Sequence, residues 1–180
     1  MSLALAIRPA ASAEDLEITR ALLREYAAHL NQSLGEEHIC LADYERELAA
    51  LPGAYAEPRG VILLALIGKE PAGCIALKPL KAERAIDPNE AACEMKRLWV
   101  RTAFRGQSIG LTLTQALIAQ ARAKGYTAMY LDTVPGAMKS ANATYRKLGF
   151  EPVERYNTNP ILGASPSIAV EFFRLPLSVN

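Results

Sequence analysis

Residues 94–113 read EMKRLWVRTAFRGQSIGLTL and place the end of an apolar strand directly before a glycine-containing turn and a long helix. Gly106 and Gly110 lie in this stretch, where small residues let backbone N–H groups come close to a phosphate. The unpaired N–H groups and the positive dipole end of the helix favour an anion at the same place. The stretch therefore predicts an anion-binding turn. An ordinary strand-to-helix turn with Ser108 as N-cap explains this segment alone equally well.

Two better-known phosphate motifs do not fit the turn. A Walker A loop would end in Gly-Lys-Ser or Gly-Lys-Thr, and neither triplet follows here. The GxGxxG pattern of dinucleotide-binding proteins is also missing. The sequence therefore argues against an NTPase of the P-loop type and against a dinucleotide-dependent enzyme.

The segments on either side alternate between strands and helices, which predicts a mixed α/β fold in one domain over residues 1–180. Ser12 is the expected N-cap of the first helix, and polar residues 31–39 are expected to form a loop. Gly125 and Gly149 are expected to end the last two helices. The predicted strands span residues 3–8, 61–67, 73–77, 92–100, 127–132, 150–155 and 167–175, and the predicted helices span residues 13–30, 41–51, 109–124 and 137–148.

Composition excludes several classes of protein. The 19 acidic residues nearly balance the 20 basic ones, which argues against a nucleic-acid partner held by bulk positive charge. No apolar run approaches the roughly 20 residues that a membrane span needs, so we expect no membrane association. The three cysteines form no CxxC pair and are far in sequence from the two histidines, which argues against a metal site and favours a reducing, cytoplasmic location.

Residues 94–113 also resemble the central motif of the GNAT superfamily of acyl-CoA-dependent N-acyltransferases. That motif reads Arg or Gln, two residues, Gly, one residue, then Gly or Ala; Arg105 and Gly110 match it, and Ser108 stands where its first glycine usually lies. A serine at a helix N-cap needs no positive φ, and its hydroxyl can donate to a phosphate. Residues 130–150, YLDTVPGAMKSANATYRKLGF, are similar to the next segment of the family, in which a helix carries an Asn and a Tyr before Leu-Gly-Phe.

The resemblance implies an α/β fold with a central, twisted and mostly antiparallel sheet of about seven strands and about four helices. The fourth and fifth strands splay apart, and the pantetheine arm of acetyl-CoA lies between them. The main chain of Leu98, Trp99 and Val100 is then expected to pair with this arm, and Asn142 to reach toward it. The pyrophosphate is expected on the turn formed by Arg105, Gly106, Gln107, Ser108, Ile109 and Gly110.

Asn142 and Tyr145 are spaced i, i+3 and so share one face of their helix. The resemblance places Tyr145 near the thioester sulfur, where a phenol can protonate the leaving thiolate. A buried core tyrosine is the alternative interpretation of Tyr145, and a surface helix residue is the alternative for Asn142.

Glu94 is the candidate general base, since several family members carry a catalytic Glu at a similar distance before the motif. Strict strand alternation puts its side chain on the face of Leu98 and Val100. Burial on a mostly apolar strand is expected to raise the pKa of Glu94, which suits a base. A salt bridge with Lys96, two positions along, is the equally weighted alternative.

The loop over residues 156–160, Tyr-Asn-Thr-Asn-Pro, precedes the last strand beside the cleft where this family receives the amine. The sequence resembles a bacterial subset with an aromatic followed by Asn-Pro at this place. Tyr156, Asn157 and Asn159 are therefore candidate acceptor-binding residues. Ordinary turn chemistry explains the same residues at least as well.

The expected activity is transfer of an acetyl group from acetyl-CoA, as cosubstrate and without a metal, to a primary amine of a small molecule by direct attack in a ternary complex. A protein lysine or N-terminal acetyltransferase is the second hypothesis. A non-catalytic acyl-CoA-binding module is the third, and the presence of Tyr145 disfavours it. A homodimer is compatible with the resemblance, because many relatives dimerise.

Overall fold

The computed structural model describes residues 4–34, 41–81, 84–157 and 168–177. Within these ranges seven strands form one sheet in the order β1-β2-β3-β4-β5-β7-β6. Every neighbouring pair is antiparallel except β4 and β5, which run parallel. The predicted α/β fold with a mostly antiparallel seven-stranded sheet and four helices is confirmed for the described part of the chain.

The elements follow the predicted order closely. The helices are α1 (Ala13–Leu34), α2 (Leu41–Ala49), α3 (Ile109–Ala123) and α4 (Lys139–Lys147), and the strands are β1 (Leu5–Pro9), β2 (Val61–Ile67), β3 (Glu70–Pro79), β4 (Ala92–Val100), β5 (Ala128–Thr133), β6 (Glu151–Pro152) and β7 (Glu171–Pro176).

The start of α1 is fixed by the predicted cap. The Ser12 hydroxyl oxygen accepts a hydrogen bond from the Asp15 backbone N–H at 3.1 Å, and the Asp15 carboxylate accepts one from the Ser12 N–H at the same distance. Two otherwise unpaired N–H groups are thereby satisfied. The Arg8 guanidinium adds an ion pair to Asp15 at 2.6 Å, which ties the helix start to β1.

Several predicted boundaries are shifted, such as those of β3 and β7, and two further differences concern α1 and β6. Helix α1 continues to Leu34, although residues 31–34 are polar enough to suggest a loop, because a solvent-facing helical turn tolerates polar side chains. Strand β6 has only two residues instead of six. Beyond Val153, whose N–H still bonds to the Phe172 carbonyl at 2.9 Å, the chain turns inward and its side chains bond to β4.

Helices cover both faces of the sheet. Helices α3 and α4 pack on one face, in a buried cluster that includes Leu113, Leu117 and Tyr145. Helices α1 and α2 pack on the other face, in a cluster that includes Leu22 and Leu48. None of the helices in the described ranges is both long enough and apolar enough to cross a bilayer.

Candidate active site

A gap opens in the sheet between its two parallel strands. Strands β4 and β5 pair only from Ala92 opposite Ala128 to Glu94 opposite Tyr130. Strand β4 continues for six residues beyond Glu94, to Val100, without further pairing to β5. The splay predicted between the fourth and fifth strands is therefore present, and it leaves one side of β4 open.

A bulge in β4 decides which main-chain groups face this gap. Cys74 lies opposite Trp99 and Ala76 opposite Lys96, so the two residues Arg97 and Leu98 face a single residue of β3. Arg97 takes a left-handed φ of 62° at this point. An extra residue in one strand reverses the alternation of side chains beyond it.

The reversal contradicts the predicted side-chain face of Glu94. Leu98 packs in the cluster under α3, together with Met95. Glu94 and Lys96 alternate with Met95 and therefore point to the opposite face, where Trp99 packs. Strict alternation fails because the bulge separates Glu94 from Leu98.

Of the three main-chain segments predicted to meet pantetheine, two face the gap. The Arg101 N–H donates to the Ala72 carbonyl of β3 at 2.9 Å, and alternate residues of an antiparallel ladder face the same partner. The main chain of Trp99 therefore faces β3, and a Cβ on Gly73 would lie only 2.4 Å from its carbonyl oxygen. The main chains of Leu98 and Val100 face the β5 side.

The turn before α3 has the backbone of an anion cradle. Ser108 has φ 60° and Gly106 has φ 80°, both left-handed. The expectation that Ser108 needs no positive φ is therefore wrong, and this backbone explains why the family motif carries a glycine there. The Ser108 side chain makes no capping bond, and the first helical N–H with an i−4 partner is that of Thr112. The earlier N–H groups of α3 remain available to a ligand.

A cleft of about 520 Å³ runs from this turn along the open end of the gap to α4. Among the described residues that line it, Arg105, Lys147 and His29 are basic and none is acidic. The remaining lining residues are mostly apolar or small, namely Leu98, Trp99, Val100, Phe104, Gly106, Ser108, Ile109, Gly110, Leu111, Ala137, Met138, Ala141, Ala143 and Thr144. Gln107, the other residue predicted to bind pyrophosphate, is exposed in the same turn.

Arg105 and His29 flank the single tryptophan at this cleft. The Arg105 guanidinium lies 4.8 Å from the Trp99 ring centroid, and its Nε donates to the Val100 carbonyl at 3.1 Å. The His29 ring centroid lies 5.1 Å from that of Trp99. Burial and the nearby Arg105 charge lower the pKa of His29, which favours the neutral imidazole.

Tyr145 is buried in the core cluster under α3 and α4 and is not among the described residues that line the cleft. It is 4% exposed and packs against Phe150 and Phe173, with ring centroids 5.7 and 6.4 Å away. Burial raises the pKa of its phenol, and the charges of Tyr26 and Asp132 raise it further. The hydroxyl is therefore protonated at neutral pH and available as a hydrogen-bond donor.

Asn142 makes contacts away from the cleft. Its Oδ1 accepts a hydrogen bond from the Thr133 hydroxyl at 3.0 Å, and its Nδ2 donates to Glu171 at 3.2 Å. Both ends of the side-chain amide are thus used to hold α4 against β5 and β7. Asn142 is not among the described residues that line the cleft, although its chain neighbours Ala141 and Ala143 are.

Glu94 lies at the closed end of the gap and is surrounded by donors. Its Oε1 accepts hydrogen bonds from the Tyr156 hydroxyl and Asn157 Nδ2, each at 2.9 Å. The Lys96 and Lys78 ammonium groups lie 3.0 and 3.1 Å from its two carboxylate oxygens. Burial by itself would raise the pKa of Glu94, but the two lysines outweigh burial and lower it. The predicted rise is therefore wrong, and the alternative salt bridge with Lys96 is present.

Asp132 joins the same polar cluster from β5. Its Oδ1 lies 2.7 Å from Lys96 Nζ, so this ion pair spans the gap between β4 and β5. Its Oδ2 accepts a hydrogen bond from Asn157 Nδ2 at 3.0 Å. The structure thus brings together three predicted site residues, Glu94, Tyr156 and Asn157, while Asn159 lies outside the described residues.

Several site residues were not predicted from the sequence. His29 is sixteen residues past the start of the long helix α1 in a region without a motif, and Lys147 resembles an ordinary solvent-exposed helix charge. Asp132 had a usable signal, since it ends the strand that runs parallel to β4 and must lie near Glu94. No feature of the sequence pointed to Lys78 as a site residue, because nothing in the sequence fixes the register of β3 against β4.

Comparison with known proteins gives consistent results. Residues 17–150 match the model of the Acetyltransferase (GNAT) family. A protein described as an uncharacterized N-acetyltransferase from Schizosaccharomyces pombe is 31% identical over 149 residues, which are 82% of this chain and 83% of that protein.

Solved structures show the same fold. A GNAT-family acetyltransferase from Staphylococcus aureus Mu50 superposes with a TM-score of 0.72 at 18% identity, covering 97% of this chain and all of that one. A Salmonella typhimurium protein whose structure includes its cofactor acetyl-CoA gives a TM-score of 0.64 at 17% identity and covers 98% of this chain and 96% of that one.

Proposed function

The chain belongs to the GNAT family and is an N-acetyltransferase, and on that basis we propose that it transfers the acetyl group of acetyl-CoA to a primary amine of a small molecule by direct attack in a ternary complex. The family match covers both the strand-turn-helix stretch and the helix of Tyr145. The donor, the acceptor and the roles of individual residues are the parts that this proposal adds.

The charge and shape of the cleft favour acetyl-CoA as the acyl donor. The cleft has free α3 N–H groups and the basic side chains of Arg105 and Lys147 at one end, has no acidic side chain among its described lining, and continues into the open edge of β4. A polyphosphate attached to a long, narrow arm matches this combination of charge and shape. Gly110 leaves room for close approach, because a Cβ there would meet only Val100 Cγ2, at 3.8 Å.

In this proposal acetyl-CoA supplies the activated acyl thioester, and residues of the chain orient it. The Leu98 main chain, which faces the gap at the bulge, provides an N–H for the developing oxyanion. The Tyr145 hydroxyl donates a hydrogen bond to the departing sulfur. Its raised pKa, caused mainly by burial, keeps the donor protonated over the whole neutral range.

Glu94 has a positioning role in this proposal rather than the role of base. Three donors contact Oε1 and the Lys78 ammonium contacts Oε2, so both carboxylate oxygens are held by groups of the chain. Its lowered pKa makes it a weak proton acceptor at neutral pH. The proton of the attacking amine is therefore expected to leave to water.

A small polar acceptor suits the closed end of the gap. The side chains of Glu94, Asp132 and Lys96 are 4%, 7% and 18% exposed, so little of this polar cluster is on the surface. An extended peptide would need more exposed polar surface than these groups offer. Tyr156 and Asn157 supply further hydrogen-bonding groups over the same point.

Thiol release from acetyl-CoA tests the proposal. The assay would compare amino acids, polyamines, amino sugars and a lysine-containing peptide as acceptors, with products identified by mass spectrometry. We expect release above the hydrolysis rate with at least one small amine, and the acetylated amine as product. Release with the peptide alone would instead identify a protein acetyltransferase, and hydrolysis without any acetylated amine would contradict the proposal.

A further inference from the structure

The side chain of Asn157 is oriented by two carboxylates. Its Nδ2 lies 2.9 Å from Glu94 Oε1 and 3.0 Å from Asp132 Oδ2. An amide oxygen turned toward two carboxylate oxygens at these distances would be repelled, so the nitrogen must face them. The two acidic residues, one on β4 and one on β5, thereby fix where the amide oxygen points.

That oxygen has no hydrogen-bond partner within the part of the chain that the structure describes. Asn157 Oδ1 is buried, and among the described residues no donor reaches it. A buried acceptor without a hydrogen bond is costly and rare in folded proteins. Such a group indicates that a donor from outside the chain completes the site.

Asn157 Oδ1 lies near the point where the acetyl group is expected to be transferred. Asn157 lies where β4 and β5 separate, beside the Lys96–Asp132 ion pair that spans the gap. The cleft proposed for acetyl-CoA is lined by Leu98, Trp99 and Val100, which belong to the part of β4 beyond its pairing with β5. The thioester is thus expected between the cleft and Asn157.

We propose that Asn157 Oδ1 accepts a hydrogen bond from the N–H of the acceptor amine, and that Glu94 and Asp132 are positioning residues that aim this oxygen. The inference rests on the proposed function and names its amine-binding residue. The carboxylates of Glu94 and Asp132 are offset by the ammonium groups of Lys78 and Lys96, so the preference for a donor comes from the lone pairs of Oδ1, which an anionic oxygen would meet with repulsion. A primary amine, which carries several N–H donors, fits the site whether or not it is protonated.

The test is a titration of the 15N-labelled chain with n-butylammonium chloride, followed through the side-chain amide signals of Asn157. 1-Butanol and sodium butyrate serve as probes of equal length with a neutral and an anionic end. We expect a saturable shift with n-butylammonium and an affinity at least tenfold lower for the other two probes. Equal responses to the three probes, or no saturable response to the amine, would overturn the proposal.

A variant pair separates the role of the oxygen from a general loss of packing. Asn157→Ala removes Oδ1, and n-butylammonium affinity, followed on neighbouring backbone signals, is expected to fall about tenfold or more. Tyr55→Phe removes another buried hydroxyl, bonded to Glu47 at 2.8 Å, and is expected to leave the affinity unchanged. Equal affinities of wild type and Asn157→Ala would contradict the proposal, and the wild-type probe comparison decides the question if that variant does not fold.

Calorimetry with acetyl-CoA keeps this inference separate from the proposed function. Asn157→Ala is expected to bind acetyl-CoA with the wild-type affinity, because Asn157 does not line the cleft. Failure of the wild type to bind acetyl-CoA would overturn the proposed donor while the amine titration still stands. Normal acetyl-CoA binding without a saturable amine response would overturn the inference alone.

Discussion

Glu94 shows how strongly local charge can oppose burial. The carboxylate is 3% exposed, a position that ordinarily favours the neutral acid, yet the ammonium groups of Lys78 and Lys96 keep it ionised. A lowered pKa in the folded state means that ionised Glu94 contributes stability above the usual glutamate pKa. This contribution is lost as the pH falls through the lowered value.

The change Glu94→Gln tests this balance. It leaves Lys78 and Lys96 without their shared counter-charge, and we expect a loss of unfolding free energy of about 3 kcal/mol at pH 7. The difference from wild type should shrink as the pH falls below the usual glutamate pKa of about 4.3 toward the lowered folded-state value. Urea unfolding at pH 7 and pH 3.5 measures both values, and an equal difference at the two pH values would contradict the ion-pair account.

Tyr145→Phe isolates the phenol hydroxyl. The ring keeps its contacts with Phe150 and Phe173, so the melting temperature should change little. We expect kcat to fall by roughly 10²-fold, the low end for general acid catalysis, because the leaving thiolate loses its donor. The KM for acetyl-CoA should stay within about twofold, because the cradle is unchanged. A wild-type kcat with intact folding would reduce Tyr145 to a packing residue.

At the scale of an element, a substitution of Gly110 tests whether the turn from Arg105 to Gly110, at the start of α3, binds the phosphates of acetyl-CoA. A Cβ at this position meets only Val100 Cγ2, at 3.8 Å, and a glutamate brings a carboxylate to the N-terminus of α3, where the phosphates are expected. Gly110→Glu should lower acetyl-CoA affinity by at least about 100-fold in calorimetry while the far-UV circular dichroism stays unchanged.

Gln115→Glu is the matched control for that experiment. It adds the same charge to an exposed position of α3, away from the turn. Its acetyl-CoA affinity is expected to equal that of the wild type. A similar loss in both variants would point to the net charge of the chain rather than to the cradle.

The close approach of β3 to β4 gives a second test at this scale. A Cβ on Gly73 would lie 2.4 Å from the Trp99 carbonyl oxygen, a backbone atom that cannot move aside alone. Gly73→Ala should therefore lower the unfolding free energy by about 2–4 kcal/mol. Gly136→Ala, where a Cβ meets nothing within 4 Å, should be close to neutral in the same urea titration.

The element order and the two motifs could be predicted from the sequence, whereas the bulge could not. Apolar runs bounded by glycine define the strands, and the Leu-Gly-Phe landmark places Tyr145 on its helix. The register shift at Arg97 depends on the pairing with β3, which leaves no local signal in the sequence. That one shift reversed the face of Glu94, and the pKa prediction failed because Lys78 arrives through the same unpredicted pairing.

The contacts of Asn142 could not be predicted from the sequence for a related reason. The i, i+3 spacing from Tyr145 sets only a shared helix face, and both residues contact β7, Asn142 through Glu171 and Tyr145 through Phe173. Long-range partners such as Thr133 and Glu171 decide which contact forms. The sequence therefore identified the right helix and left the individual contacts open.

At the scale of the whole molecule, the gap between β4 and β5 determines where the candidate site lies. Helices on both faces hold β4 and β5, and the strands pair only over three residues before they part. The cleft approaches the gap from the α3 and α4 side, and the polar cluster around Glu94 lies at its closed end. Donor and acceptor can thus reach the same point from different directions.

A crystal structure of the chain with acetyl-CoA tests this arrangement directly. We predict phosphate oxygens on the backbone N–H groups between Arg105 and Gly110, and the thioester carbonyl within hydrogen-bond distance of the Leu98 N–H. The sulfur is expected near the Tyr145 hydroxyl. Acetyl-CoA bound outside the gap between β4 and β5, or phosphates placed away from the start of α3, would contradict the account.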